Sequence, residues 1–127
     1  MEPELTFAEL ADIAAGEVAR LRVNLPADIA KAAAPVAVHF DDFPSDDLIA
    51  AGYDDDLLGL FDGVAYNDEP SAGTPSAPQI FLYLENIYDF VDGDPVEFRE
   101  EVRLTYLHEL GHYLGWDEDD MEARGLD

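Results

Sequence analysis

Two histidines four residues apart, His108 and His112, enclose a glutamate in the run His108-Glu109-Leu110-Gly111-His112-Tyr113-Leu114-Gly115. On a helix, residues i and i+4 stand one above the other, so both imidazoles address one point in space. Two neutral imidazoles at about 2.0–2.1 Å supply half of a tetrahedral Zn²⁺ site. Glu109 sits about 100° further round the helix than His108. From there it reaches a zinc-activated water without being a ligand, which is the position of a general base. One stretch thus offers a metal, a water and a base, a combination that hydrolyses peptide bonds.

A third protein ligand has to come from elsewhere. Glycine ends helices at positive φ and lets the chain reverse, so a turn is expected at Gly115. It would return Trp116, Asp117, Glu118, Asp119 and Asp120 towards the histidines, and four of these five are carboxylates. A carboxylate oxygen at about 2.0–2.2 Å is an acceptable zinc ligand. A simpler reading fits the same residues: two polar histidines on a half-buried helix, with nothing bound.

The helix that carries the pair is expected to open at Pro95 and run to about Leu114. Glu101, Thr105, His108 and His112 share one of its faces, while Leu104, Leu107, Leu110, Gly111 and Leu114 are expected to pack on a sheet. Glu101 is a candidate hydrogen-bond partner for a ligand histidine, or else a solvated helix residue. At the other end of the chain, Thr6-x-x-Glu9 is a capping-box pattern. The apolar stripe Phe7, Leu10, Ala14, Val18, Leu21 follows it. Pro26 begins a short helix to Ala34, which Pro35 ends. Strands are expected at Val36–Phe40 and Gln79–Leu84, with an acidic turn at Asp41–Pro44 and a strand pair or bent strand at Leu57–Tyr66. Asn67–Pro78 reads as a loop and Asp117–Arg124 as a short acidic helix. The resulting class is α+β: a small mixed sheet packed against an N-terminal helix and the helix of the histidine pair, in one domain over residues 1–127.

Thirty acidic residues against six basic ones give a formal charge of −24. Such a field repels nucleic acid and anionic membranes, and attracts cations and basic peptides. A solvated acidic surface that aids solubility explains the same charge more simply. With no cysteine, disulfides and thiolate metal sites are excluded. The acidic start Met1-Glu2-Pro3-Glu4-Leu5 and the lack of a long apolar run point to cytoplasmic residence.

These landmarks together resemble the small bacterial zincin-like metallopeptidases, a minimal metzincin-like fold. The matching stretches are Leu57-Leu58-Gly59-Leu60-Phe61-x-Gly63, Ile80-Phe81-Leu82-Tyr83, and Glu100-Glu101-Val102-Arg103 leading into His108–Gly115. The tail Asp117-Glu118-Asp119-Asp120-Met121-Glu122 matches too. The resemblance implies zinc held by His108, His112 and an acidic residue, with Glu109 as base. Metzincins place a third histidine three residues after the glycine. Here that position is Glu118, the first candidate, with Asp117 the second. The missing histidine and a tail of nine residues after Glu118 depart from true metzincins. Met121 is a candidate for the residue beneath the metal, with an ordinary core position as the simpler reading.

The activity so implied is a zinc-dependent metallopeptidase acting on peptide or protein substrates. Strand Gln79–Leu84, if it forms the sheet edge above the metal, would bind an extended peptide. Tyr83, Tyr88 and Tyr113 are candidate oxyanion stabilisers, and His39 a distant candidate for the site. Asp54-Asp55-Asp56 and Asp117–Asp120 lack the spacing of a calcium loop. Two rival readings stand beside the peptidase: a metal-binding protein without hydrolytic activity, and an acidic module that engages a basic partner.

Overall fold

A capping box starts the first helix. Thr6 Oγ1 accepts from the Glu9 amide at 3.2 Å, and the Glu9 carboxylate accepts from the Thr6 amide at 3.0 Å. The computed structural model describes residues 4–64, 66 and 77–124. From the cap, α1 (Phe7–Asn24) runs with Leu10, Ala14, Val18 and Leu21 buried, as the stripe requires. Phe7, at the exposed start, is the exception. A short α2 (Ala27–Ala33) follows Pro26 and buries Ile29, Ala32 and Ala33. Arg22 ties the end of α1 to the stretch after it, donating to the carbonyls of Ala33 at 2.6 Å and Val36 at 2.9 Å.

Among the described residues the sheet has three strands in the order β1-β3-β2, where β1 is Ala37–Asp41, β2 is Gly59–Asp62 and β3 is Gln79–Tyr83. β1 pairs parallel and β2 antiparallel with β3, so the sheet is mixed. β3 is therefore the central strand, so the condition on which Gln79–Leu84 would take an extended peptide, an edge position, is not met. Ile80 and Leu82 are fully buried between neighbours, and among the described residues the free edges belong to β1 and β2. Where a strand pair or a bent strand is expected at Leu57–Tyr66, the described residues form one four-residue strand. It stops at Gly63 (φ +125°), where a Cβ would come within 2.9 Å of Pro78 Cα. The expected loop at 67–78 lies outside the described residues, apart from Ala77 and Pro78.

Two further helices occupy stretches to which the sequence pattern gives no element, Leu84 apart. α3 (Asp46–Ala50) is capped by Ser45, whose hydroxyl accepts from the Leu48 amide at 3.3 Å. α4 (Leu84–Phe90) begins directly where β3 ends, with no side-chain cap. Its Leu84 and Ile87 enter the core rather than prolonging the strand.

α5 (Pro95–Leu114) is the axis of the molecule. Asp94 caps it, accepting from Val96 and Glu97 at 2.9 and 3.1 Å, and Pro95 occupies the first turn, where no amide bond is lost. α1 and α4 pack against it on one side, β2 and β3 on another. This explains why Phe98, Val102, Tyr106, Leu107, Leu110 and Tyr113 are all buried. Leu104, expected against the sheet, is instead 37% exposed. Among the described residues, no helix is long and apolar enough to cross a membrane.

Candidate metal centre

The end of α5 is built to turn back. Gly115 adopts the left-handed conformation (φ +74°), its amide bonds His112 O at 3.2 Å, and the Trp116 amide bonds Gly111 O at 2.9 Å. This pairing is a Schellman motif, and it satisfies carbonyls that the helix end would orphan. The chain then re-enters helix as α6 (Glu118–Ala123). Asp117 caps it, accepting from Asp120 N at 2.8 Å, while Asp120 accepts from Asp117 N at 3.2 Å. Arg124 lies 3.9 Å over the Trp116 ring and fastens the end of α6 to the turn.

Met121 anchors α6 against Gly111 of the motif helix. It is 5% exposed, and a Cβ at Gly111 would meet its Sδ at 3.3 Å. The glycine between Glu109 and His112 thus leaves room for Met121, which both lines the cleft and belongs to the core.

On the other side, β2 crosses α5 at close range. A Cβ at Gly59 would lie 2.6 Å from Thr105 Cγ2 and 3.4 Å from Glu109 Cγ. Only the absent side chain lets the strand pass this near, and the sequence marks the position merely as a glycine inside a strand pattern. The role of Gly59 is the site feature that sequence reasoning missed.

Between β2, α5 and α6 opens a cleft of about 1040 Å³. His108 and His112 are exposed to it, with ring centroids 4.5 Å apart. Glu109 is buried (6% exposed), and its Oε1 lies 3.1 Å from His112 Nδ1. The ligand atoms of His108, Glu109 and His112 all fall within 4.8 Å of one another. Two ligands each about 2.1 Å from one ion are at most about 4.2 Å apart. Small side-chain rotations therefore bring the histidines onto a common ion. With Nδ1 of His112 facing Glu109, Nε2 is the nitrogen left for it. Imidazole and carboxylate donors without thiolate suit Zn²⁺, so the residues present fit the metal.

Glu118 stands on the wall of the same cleft, exposed and outside the converging group. Asp117 also lines the cleft, but its Oδ1 is committed to the α6 cap. Glu101 and Thr105 continue the wall along α5. Burial, with Glu100 and Glu97 adding to it, raises the Glu101 carboxyl above its ordinary value.

The remaining candidates lie elsewhere. Tyr113 donates to Ala32 O at 3.0 Å, Tyr88 accepts from Leu5 N at 3.2 Å, and neither lines the cleft. His39 is 2.7 Å from Gln79 Oε1 and stacks on Phe81, away from the cleft. Tyr83 lines a second groove. Among the described residues, the Asp54–Asp56 run forms no metal-holding group.

No curated protein matches the chain. A family model for zincin-like metallopeptidases matches residues 33–126, a span that holds the whole sheet, α5 and α6. The mixed α+β architecture with its His108-Glu109-x-x-His112 helix is the fold such a match requires, and the chain belongs to the zincin-like metallopeptidase family.

Proposed function

We propose that the protein is a zinc-dependent peptidase in which His108, His112 and Glu118 hold the metal and Glu109 is the general base. The observation that carries this reading is the convergence of the His108, Glu109 and His112 donor atoms in an open cleft. When bound, Zn²⁺ supplies Lewis-acid polarisation of a carbonyl and lowers the pKa of a water. Glu109 is held from behind. Its carboxylate is buried, and Oε1 faces His112 Nδ1, which leaves Oε2 to take a proton from the attacking water and return it to the leaving amine. Glu118 is favoured over Asp117 because it is exposed and makes no cap, so its side chain is free to rotate to the metal.

Peptide binding moves from β3 to β2. β2 is an edge strand, and Leu58 and Gly59 line the cleft. An extended substrate adds to that edge through main-chain hydrogen bonds, with its scissile carbonyl brought over the histidines. The strongly negative charge disfavours nucleic acid and anionic membranes as partners, and we place the protein in the cytoplasm.

Glu109→Gln tests the assignment. The glutamine keeps the shape but accepts no proton, so zinc content stays at the wild-type level while cleavage of a peptide library falls by at least about 10²-fold. Cleavage undiminished in this variant refutes the role of Glu109.

A further inference from the structure

The face of the sheet turned away from α5 has its own construction. The strand registers put Asp41 beside Tyr83, Leu60 beside Phe81 and Asp62 beside Gln79, and alternation points all of them away from the core. A groove of about 610 Å³ opens there beside α3. Asp41, Asp42, Asp46 and Asp62 line it, and no lysine or arginine does. Phe81 and Tyr83 also line it, with the half-exposed rings of Phe43 and Tyr53 at its rim.

Carboxylates alone are unremarkable in so acidic a chain. Tyr83 is the second observation. It is 1% exposed yet lines the groove, and its hydroxyl makes no hydrogen bond with any described residue. Burial first, then Asp41 and Asp62, push its pKa up to about 12, so the hydroxyl keeps its proton. A donor on a ligand in the groove gives this hydroxyl the partner it lacks among the described residues.

The lining dictates what fits. An anion is repelled, and an apolar group would strip water from four carboxylates without replacing it. An arginine or lysine side chain satisfies each feature. Its methylene stem lies on the aromatic floor, its cation meets the aspartates, and an N–H donates to Tyr83 Oη. We infer that this groove binds a basic side chain of an extended peptide and selects such peptides for the metal centre. β2 connects the two places: Gly59 lines the cleft, while Leu60, Phe61 and Asp62 line the groove. A peptide added along that edge spans both. The link to cleavage rests on the peptidase reading; binding itself requires neither metal nor hydrolysis.

The test is an NMR titration of the metal-free full chain with the blocked peptide Ala-Ala-Arg-Ala-Ala, beside the same peptide carrying uncharged citrulline. The arginine peptide is expected to bind about tenfold tighter and to shift the amides of Asp41, Asp62 and Tyr83. Asp41→Asn with Asp62→Asn should weaken it about tenfold. Tyr83→Phe, which keeps the ring, should weaken it about threefold. Asp12→Asn with Asp89→Asn removes equal charge from exposed helix positions elsewhere and should change the affinity less than about twofold. Equal binding of the citrulline peptide, or an equal loss in the Asp12/Asp89 pair, overturns the groove. Binding as expected, with zinc-loaded protein cleaving arginine and citrulline peptides alike, overturns substrate selection alone.

Discussion

Gly59→Ala places a methyl where β2 crosses the motif helix. Its carbon would lie 2.6 Å from Thr105 Cγ2, 3.2 Å from Phe81 O and 3.4 Å from Glu109 Cγ. Non-bonded carbons settle at about 3.5–4.0 Å, so Thr105 and the strand have to part by roughly 1 Å. Overpacking of this kind costs about 1–3 kcal/mol. Replacing glycine in the unfolded chain returns about 0.4–1 kcal/mol. The net loss is about 1–2 kcal/mol, a fall in Tm of roughly 4–8 °C for a domain of this size. The steric cause is separable from any general effect of alanine. Thr105→Ser deletes the methyl that the new side chain meets, so the double variant should recover at least half of what Gly59→Ala loses. Calorimetry on the two single variants and the double gives the coupling directly. A Gly59→Ala protein as stable as wild type, or a double variant whose losses simply add, refutes the close crossing.

Other residues yield sharper signs than sizes. Tyr106 is fully buried, and its hydroxyl has no partner among the described residues. Tyr106→Phe should therefore raise stability by up to about 1 kcal/mol in urea unfolding, and a loss of that size would contradict the unpaired hydroxyl. Gly115→Ala puts a Cβ at φ +74° and should cost about 1 kcal/mol in the same assay, with Gly115→Asn costing less; equal costs would deny the left-handed turn its role. Glu101 has a folded pKa raised by burial. Its ionisation thus opposes folding once pH has risen through that value, and has no effect below the unfolded value. Glu101→Gln should stabilise by less than about 1 kcal/mol near pH 7 and not at all near pH 3. The gain should survive about 1 M salt, where the Debye length is about 3 Å, and a gain that salt abolishes would point to bulk charge instead.

The parts legible in the sequence are those set by neighbours along the chain. The His108-Glu109-x-x-His112 spacing, the Pro95 start, the Gly115 reversal and the short acidic helix from Asp117 each depend on residues within a few positions. The structure shows α5 and α6 close to where the pattern puts them. Strand order is different in kind. Nothing local in Gln79–Tyr83 distinguishes a central strand from an edge, because the distinction lies in partners about twenty and forty residues away. Leu84 prolongs the alternation of β3 on paper, but α4 carries it into the core. Gly59 looks like a break in a strand, and its function appears only when Thr105 and Glu109 stand against it. The acidic groove is equally non-local, drawing on β1, α3, β2 and β3 at once.

Zinc content of the untagged protein by elemental analysis tests the central claim most directly, with His108→Ala, Glu118→Ala and Glu109→Gln measured alongside. The metal centre described above predicts about one zinc per chain in wild type and Glu109→Gln, and loss of that zinc in His108→Ala and Glu118→Ala. Zinc kept in Glu118→Ala but lost in His108→Ala would move the third ligand to another residue of the cleft. No zinc in wild type after reconstitution, or undiminished zinc in His108→Ala, would contradict the metal centre itself.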